Sequence, residues 1–167
     1  MPDRILVVDN EVDELAGWET TLRKGGYMVR TASTAARALE LCDELIFDLV
    51  ILDYLMPKMK GLELLSRIRK KNPLVRSIVI SGWLDKNLIE QEIKESIRGE
   101  VETDRYFHKP IKNEELLEAV AAVLKEAQPG RPWDAVAADY VEGGKASVSK
   151  AKGAQSKLKK HIQKGKA

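Results

Sequence analysis

A single cysteine, Cys42, stands in 167 residues. One thiol cannot close an internal disulfide, which excludes the disulfide-stapled secreted class and any cysteine-built zinc cage, and makes a reducing, cytoplasmic setting the expectation. Aromatic residues are scarce, at 5%. The opening stretch MPDRILVVDNEVDE has only a short apolar run with acids directly after it, so neither a signal peptide nor a membrane span is expected there. An excess of one charge is also lacking, because 28 Lys and Arg meet 26 Asp and Glu for a net +2. At 44% hydrophobic and 32% charged, the chain is too apolar to be wholly disordered and too polar for a membrane protein. Its length suits one domain of roughly 100 to 150 residues plus an appendage.

What is present divides by sign. Residues 129–167 hold eight Lys and Arg131 against Asp134, Asp139 and Glu142, a net +6 that leaves −4 for residues 1–128. Gln128-Pro129-Gly130-Arg131-Pro132 sets two prolines and a glycine in five residues, a stop and linker signal. The expected organisation is an acidic globular domain over 1–128, a linker with a short amphipathic helix over 129–144, and a basic tail over 145–167.

Within the acidic part, short β-branched runs alternate with segments of helical period, the pattern of an α/β fold with a parallel sheet. The runs are Ile5–Val8, Met28–Thr31, Leu49–Leu52, Ser77–Ile80 and Tyr106-Phe107. The first, third and fourth are almost continuously apolar, as in central strands covered on both faces, whereas the second and fifth are expected nearer an edge. Helical spacing is carried by Leu15, Trp18 and Leu22, ended by Gly25-Gly26, then by Ala35, Ala38, Leu39, Cys42 and Leu45, and by Gly61, Leu64, Leu65 and Ile68. A fourth helix is marked by Ile89, Ile93 and Ile97, and a fifth by Leu116, Val120, Val123 and Leu124. Cys42 and Trp18 fit apolar stripes and are expected to pack in the core.

In a doubly wound parallel sheet, ligands bind outside the carboxyl ends of the strands, where strand order reverses. Asp9 and Asn10 follow the first strand, Asp53 ends the third, Ser81 the fourth, and Lys109 comes after the fifth. Carboxylates gathered at one edge repel, and a divalent cation relieves this. Magnesium is the natural candidate, since it takes hard oxygen ligands, keeps several waters and bridges to phosphate.

Four motifs in order, Ile5–Glu11, Asp48–Gly61 (DLVILDYLMPKMKG), Ser81-Gly82 and His108-Lys109-Pro110, carry a family likeness. Over about residues 3–127 the chain resembles a response-regulator receiver domain of two-component signalling. The resemblance implies a flavodoxin-like, doubly wound sheet of five parallel strands with five helices, followed here by a short helical, Lys-rich extension. It implies that Asp53 accepts a phosphoryl group from a sensor histidine kinase or phosphotransfer protein in a phosphorelay. It further implies Mg2+ held by Asp9, Asn10, Asp53 and the backbone carbonyl of Leu55. Ser81 would hydrogen-bond the phosphoryl oxygen, Lys109 would pair with its charge across a Lys109-Pro110 bond that is often cis, and Tyr106 would be the aromatic switch. A downstream protein would be met at the face formed by the fourth helix, fifth strand and fifth helix. Such a domain assists its own phosphorylation and hydrolysis and turns over no separate substrate, so it is a signalling protein and not an enzyme.

The chain departs from that pattern in places. Most receivers carry two acids after the first strand, and this one has Asp9-Asn10, which lowers the expected affinity for magnesium and supports an alternative, a phosphorylation-independent adaptor. The span from Ser81 to Lys109 is longer than usual, with an acidic insertion around residues 97–104 that is either a partner-selecting element or a solvated loop. Lys60 is read as a surface difference, and His108 as a strand-end side chain off the active edge. In the extension, Trp133, Val136, Ala137, Tyr140 and Val141 space a short amphipathic helix that needs a cover, on the receiver itself or in a homodimer. Residues 145–167 hold eight Lys and no acid. Such a tail suits non-specific nucleic acid, anionic lipid or acidic protein, and composition does not choose among them.

Overall fold

The computed structural model describes residues 2–82 and 103–126. Five strands, β1 (Arg4–Val8), β2 (Met28–Ala32), β3 (Leu49–Asp53), β4 (Arg76–Ser81) and β5 (Arg105–His108), form one parallel sheet in the order β2-β1-β3-β4-β5. Four helices are described: α1 (Val12–Lys24), α2 (Ala35–Glu44), α3 (Gly61–Lys71) and α4 (Asn113–Lys125). The helix expected on Ile89, Ile93 and Ile97, the amphipathic segment at 133–141 and the basic tail lie outside the described residues.

Because side chains alternate across a strand, each apolar run feeds both faces of the sheet. Ile5, Val7, Leu49, Ile51, Ile78 and Ile80 pack with Leu15, Trp18 and Leu22 of α1 and Leu116, Val120 and Val123 of α4. Leu6, Val8, Val50 and Leu52 pack on the other face against Ala38 and Leu41 of α2 and Leu64, Leu65 and Ile68 of α3, with Cys42 at the margin of that layer. β2 and β5 are the edges, in keeping with their thinner apolar patterns.

Local signals close the elements. Gly26 takes φ 93°, a left-handed turn after α1 that an L side chain resists. Thr34 caps α2 by accepting from the Arg37 backbone N–H at 3.1 Å. The Lys109-Pro110 peptide is cis.

The register then positions the carboxyl edge. Val8 lies opposite Leu52 and Asp53 opposite Ile80, so the residues following β1, β3 and β4 emerge side by side. Strand order reverses between β1 and β3, because the chain winds outward to β2 before crossing back.

Residues 97–102 of the acidic insertion lie outside the described residues, but its last residue can be placed. Its end is not a solvated loop: Asp104 is buried, and its Oδ2 accepts from the Ser77 backbone N–H at 2.9 Å and lies 3.7 Å from the Arg69 guanidinium. A buried carboxylate needs such donors, and here they fasten the start of β5 to β4.

Candidate functional site

Asp9 leaves β1 and is fully buried, with Oδ1 accepting the Glu11 backbone N–H at 2.8 Å. Asp53 ends β3 at 5% exposure, and its Oδ1 receives the Leu55 backbone N–H at 3.4 Å. From beyond β5, Lys109 reaches between them. Its Nζ donates to Asp9 Oδ2 at 2.8 Å and stands 3.7 Å from Asp53 Oδ2. The Lys109 backbone N–H in turn donates to the Ser81 carbonyl at 2.7 Å, which fixes the base of the lysine to the end of β4. Ser81 is buried, and its hydroxyl donates to the Gly82 carbonyl at 2.9 Å.

The charges at this edge shape its protonation. Burial, then the neighbouring charge of Asp9, pushes the Asp53 carboxyl up to about 6 from its ordinary 3.8, while Lys109 and the Leu55 N–H pull against that rise. Burial would lower the Lys109 ammonium, but hydrogen bonds to Asp9 and Glu14 and the charge of Asp53 hold it above its ordinary value. Asp53 is therefore a carboxylate at neutral pH, and an uncomfortable one.

Gly61 makes the arrangement sterically feasible. A Cβ added there would stand 2.3 Å from the Asp53 carbonyl oxygen, whereas the Gly61 N–H donates to the Tyr54 carbonyl at 2.8 Å. The first turn of α3 thus lies directly on the backbone of the residue that ends β3.

The sequence-predicted residues divide by position. Asp9, Asp53, Ser81 and Lys109 come together, and Leu55 follows with its side chain exposed and its N–H on Asp53. Asn10 sits at the exposed rim. Tyr106 is half-buried against Tyr54, Leu62 and Val79, and its ring meets that of His108 edge-on at 5.1 Å. His108 is exposed.

A residue the sequence reading passed over also belongs here. Glu14, in the first turn of α1, places Oε2 2.5 Å from Lys109 Nζ. Burial raises its carboxyl above the ordinary range, and the bond to Lys109 opposes this. Trp18, one turn on, lies in the core as expected and also carries the ammonium 5.5 Å from its ring centroid. A hollow of about 290 Å3 lined by Glu14, Trp18, Lys109, Pro110 and Ile111 opens beside this cluster. The available signal was spacing: Glu14 directly precedes Leu15 and stands four before Trp18, at the margin of the stripe that α1 buries.

The donor set fits a magnesium ion. Two buried carboxylates from adjacent strands are hard oxygen ligands whose mutual repulsion a cation relieves. Among the described residues no group of three His, Cys, Asp or Glu side chains is arranged as a metal cage. Water and backbone oxygen would complete the shell, as magnesium prefers.

Comparison with known proteins agrees with this architecture. The family model for the response regulator receiver domain matches residues 5–121. The alkaline phosphatase synthesis transcriptional regulatory protein PhoP of Bacillus subtilis is 27% identical over 143 residues, covering 86% of this chain and 57% of that protein. The chain therefore spans little more than half the length of that relative. Among solved structures, a CheY-like receiver domain protein from Methanospirillum hungatei is 30% identical with a TM-score of 0.65, covering 74% of this chain and 94% of that one. The chemotaxis response regulator CheY4 of Vibrio cholerae is 26% identical with a TM-score of 0.64, covering 74% and 99%. Sheet order, strand-end chemistry and the family match converge, and the chain belongs to the response-regulator receiver family of two-component systems.

Proposed function

We propose that this receiver accepts a phosphoryl group on Asp53 from a histidine kinase or phosphotransfer protein and relays the change by protein contacts at the surface rooted on Ser81, Tyr106 and Lys109. The observation that carries the reading is one ammonium set between two buried carboxylates, Asp9 at 2.8 Å and Asp53 at 3.7 Å, at the carboxyl edge of the sheet.

The chemistry follows from charge. An Asp53 oxygen attacks phosphorus, the P–N bond to the donor histidine breaks, and the electron pair stays with the imidazole, which takes up a proton. The product is an acyl phosphate, and water later cleaves its P–O bond to return the carboxylate and inorganic phosphate. Positioning and charge neutralisation dominate such a transfer. Lys109 supplies one positive charge within reach of Asp53. Asp9, Asp53 and the Leu55 carbonyl, with Asn10 at the rim, would hold Mg2+, which would supply further positive charge at the site. Phosphorylation adds up to about two negative charges next to Ser81 and Lys109. The Ser81 hydroxyl, now spent on the adjacent Gly82 carbonyl, is the group free to turn toward the new oxygens, and Tyr106 is the ring that follows it.

Signalling, and not turnover of a separate substrate, is the role this supports. PhoP is named as a transcriptional regulatory protein and extends well beyond the region matched here. For this chain, non-specific nucleic-acid contact through the eight-lysine tail is the secondary reading. Intact-protein mass spectrometry after incubation with acetyl phosphate tests the main one. A single phosphoryl adduct that needs both magnesium and Asp53, and is lost in Asp53→Asn, is the expected result. Folded protein that takes no adduct from acetyl phosphate or from a phosphorylated histidine donor would turn the reading toward a phosphorylation-independent adaptor.

A further inference from the structure

Lys109 is held less by the residue it is meant to serve than by helix α1. Its Nζ is in close ion-pair contact with Glu14 Oε2 at 2.5 Å and donates a hydrogen bond to Asp9 at 2.8 Å, but stands 3.7 Å from Asp53, beyond hydrogen-bond distance. The Trp18 ring lies 5.5 Å from the same ammonium. Glu14 and Trp18 are four residues apart on α1 and so share one helix face, where together they form a seat for a cation. The hollow beside them leaves the lysine stem room to swing.

We propose that Glu14 is a positioning residue. With Trp18 it seats Lys109 short of Asp53, and the ammonium must leave this seat before it can pair with a phosphoryl group there. The inference rests on Asp53 being the acceptor. Its consequence is that α1 sets how readily the site is loaded, through a carboxylate that lies neither at a strand end nor beside the acceptor. The competition is one of ion pairs. Glu14 is partly exposed, so solvent screens its bond to Lys109, and removing it should change occupancy by about fivefold and not by orders of magnitude.

Two readouts on the 167-residue chain test this. The first is the rate of amine acylation at Lys109, followed by peptide mass spectrometry, with exposed Lys112 as internal reference. Wild type should label slowly at Lys109, Glu14→Gln about fivefold faster, and Glu14→Asp, which shortens the reach by one methylene, in between. The second is the affinity for beryllofluoride with magnesium, a phosphoryl mimic that needs no chemistry. Glu14→Gln should bind it about fivefold more tightly. Unchanged Lys109 labelling in Glu14→Gln overturns the inference, as does unchanged or weaker beryllofluoride binding in a variant whose labelling has risen. If labelling responds to Glu14 while neither protein binds beryllofluoride, the seat stands and the acceptor role of Asp53 falls, so the two failures are distinguishable.

Discussion

Replacing Asp53 by Asn should make the metal-free protein more stable at neutral pH, although it removes the proposed phosphoryl acceptor. The carboxyl is 5% exposed, and burial and the charge of Asp9 lift it from 3.8 to about 6. Between those two values the folded chain binds a proton that the unfolded chain has released, so this group destabilises the fold progressively as pH rises through the window. Above about pH 6 the whole cost is present, and at about 1.4 kcal/mol per pH unit it amounts to about 3 kcal/mol. Below 3.8 both states are protonated and the cost disappears. Asparagine keeps the shape and an oxygen for the Leu55 N–H, but carries no charge. The assay is urea denaturation of wild type and Asp53→Asn in chelator at several pH values from 4 to 7.5. The difference should favour the variant by about 3 kcal/mol at pH 7.5 and shrink towards zero near pH 4. Added magnesium should narrow it, because an ion bound by two carboxylates stabilises only the wild-type fold strongly. A variant no more stable than wild type at pH 7.5, or a difference that does not vary with pH, would refute the assignment of a strained charge to Asp53.

Other consequences follow from contacts already described. Gly61→Ala should cost about 3 kcal/mol in urea denaturation, because its Cβ would stand 2.3 Å from the Asp53 carbonyl oxygen and backbone must give way; phosphorylation should slow with it. Asp104→Ala should cost about 3 kcal/mol, since it leaves the buried Ser77 N–H and the Arg69 guanidinium without that acceptor, and hydrogen exchange should quicken across Arg105–His108. Asp48→Ala, which removes an exposed acceptor of the Arg4 N–H, should change stability by less than about 1 kcal/mol and serves as the control.

The fold was legible where burial dictates composition. β1, β3 and β4 are covered on both faces and so had to be nearly continuous apolar runs, and α1, α2 and α3 each cover one face and so had to be striped. The strand-end residues were legible too, since a polar side chain directly after a buried run marks the edge of the sheet. Two acids were not. Glu14 reads as an ordinary first-turn carboxylate favoured by the helix dipole; its spacing places it at the margin of the buried stripe of α1 but does not reveal the lysine from beyond β5 that reaches it. Asp104 reads as one more charge in an acidic loop, because the donors that let it be buried, on Ser77 and Arg69, come from β4 and α3. Charge partners across a sheet are set by register, which linear spacing does not carry.

The bond between Lys109 and Asp9 spans 100 positions of chain. A ribosome that has released β1 to β4 has therefore made a cleft of acids with no ammonium to balance them, and the last strand must dock before the charges are reconciled. A half-made chain should thus be a poor acceptor of phosphoryl groups. The ammonium that balances the two buried carboxylates comes with the last strand of the sheet to be made, and the charge balance of the edge depends on β5 being docked.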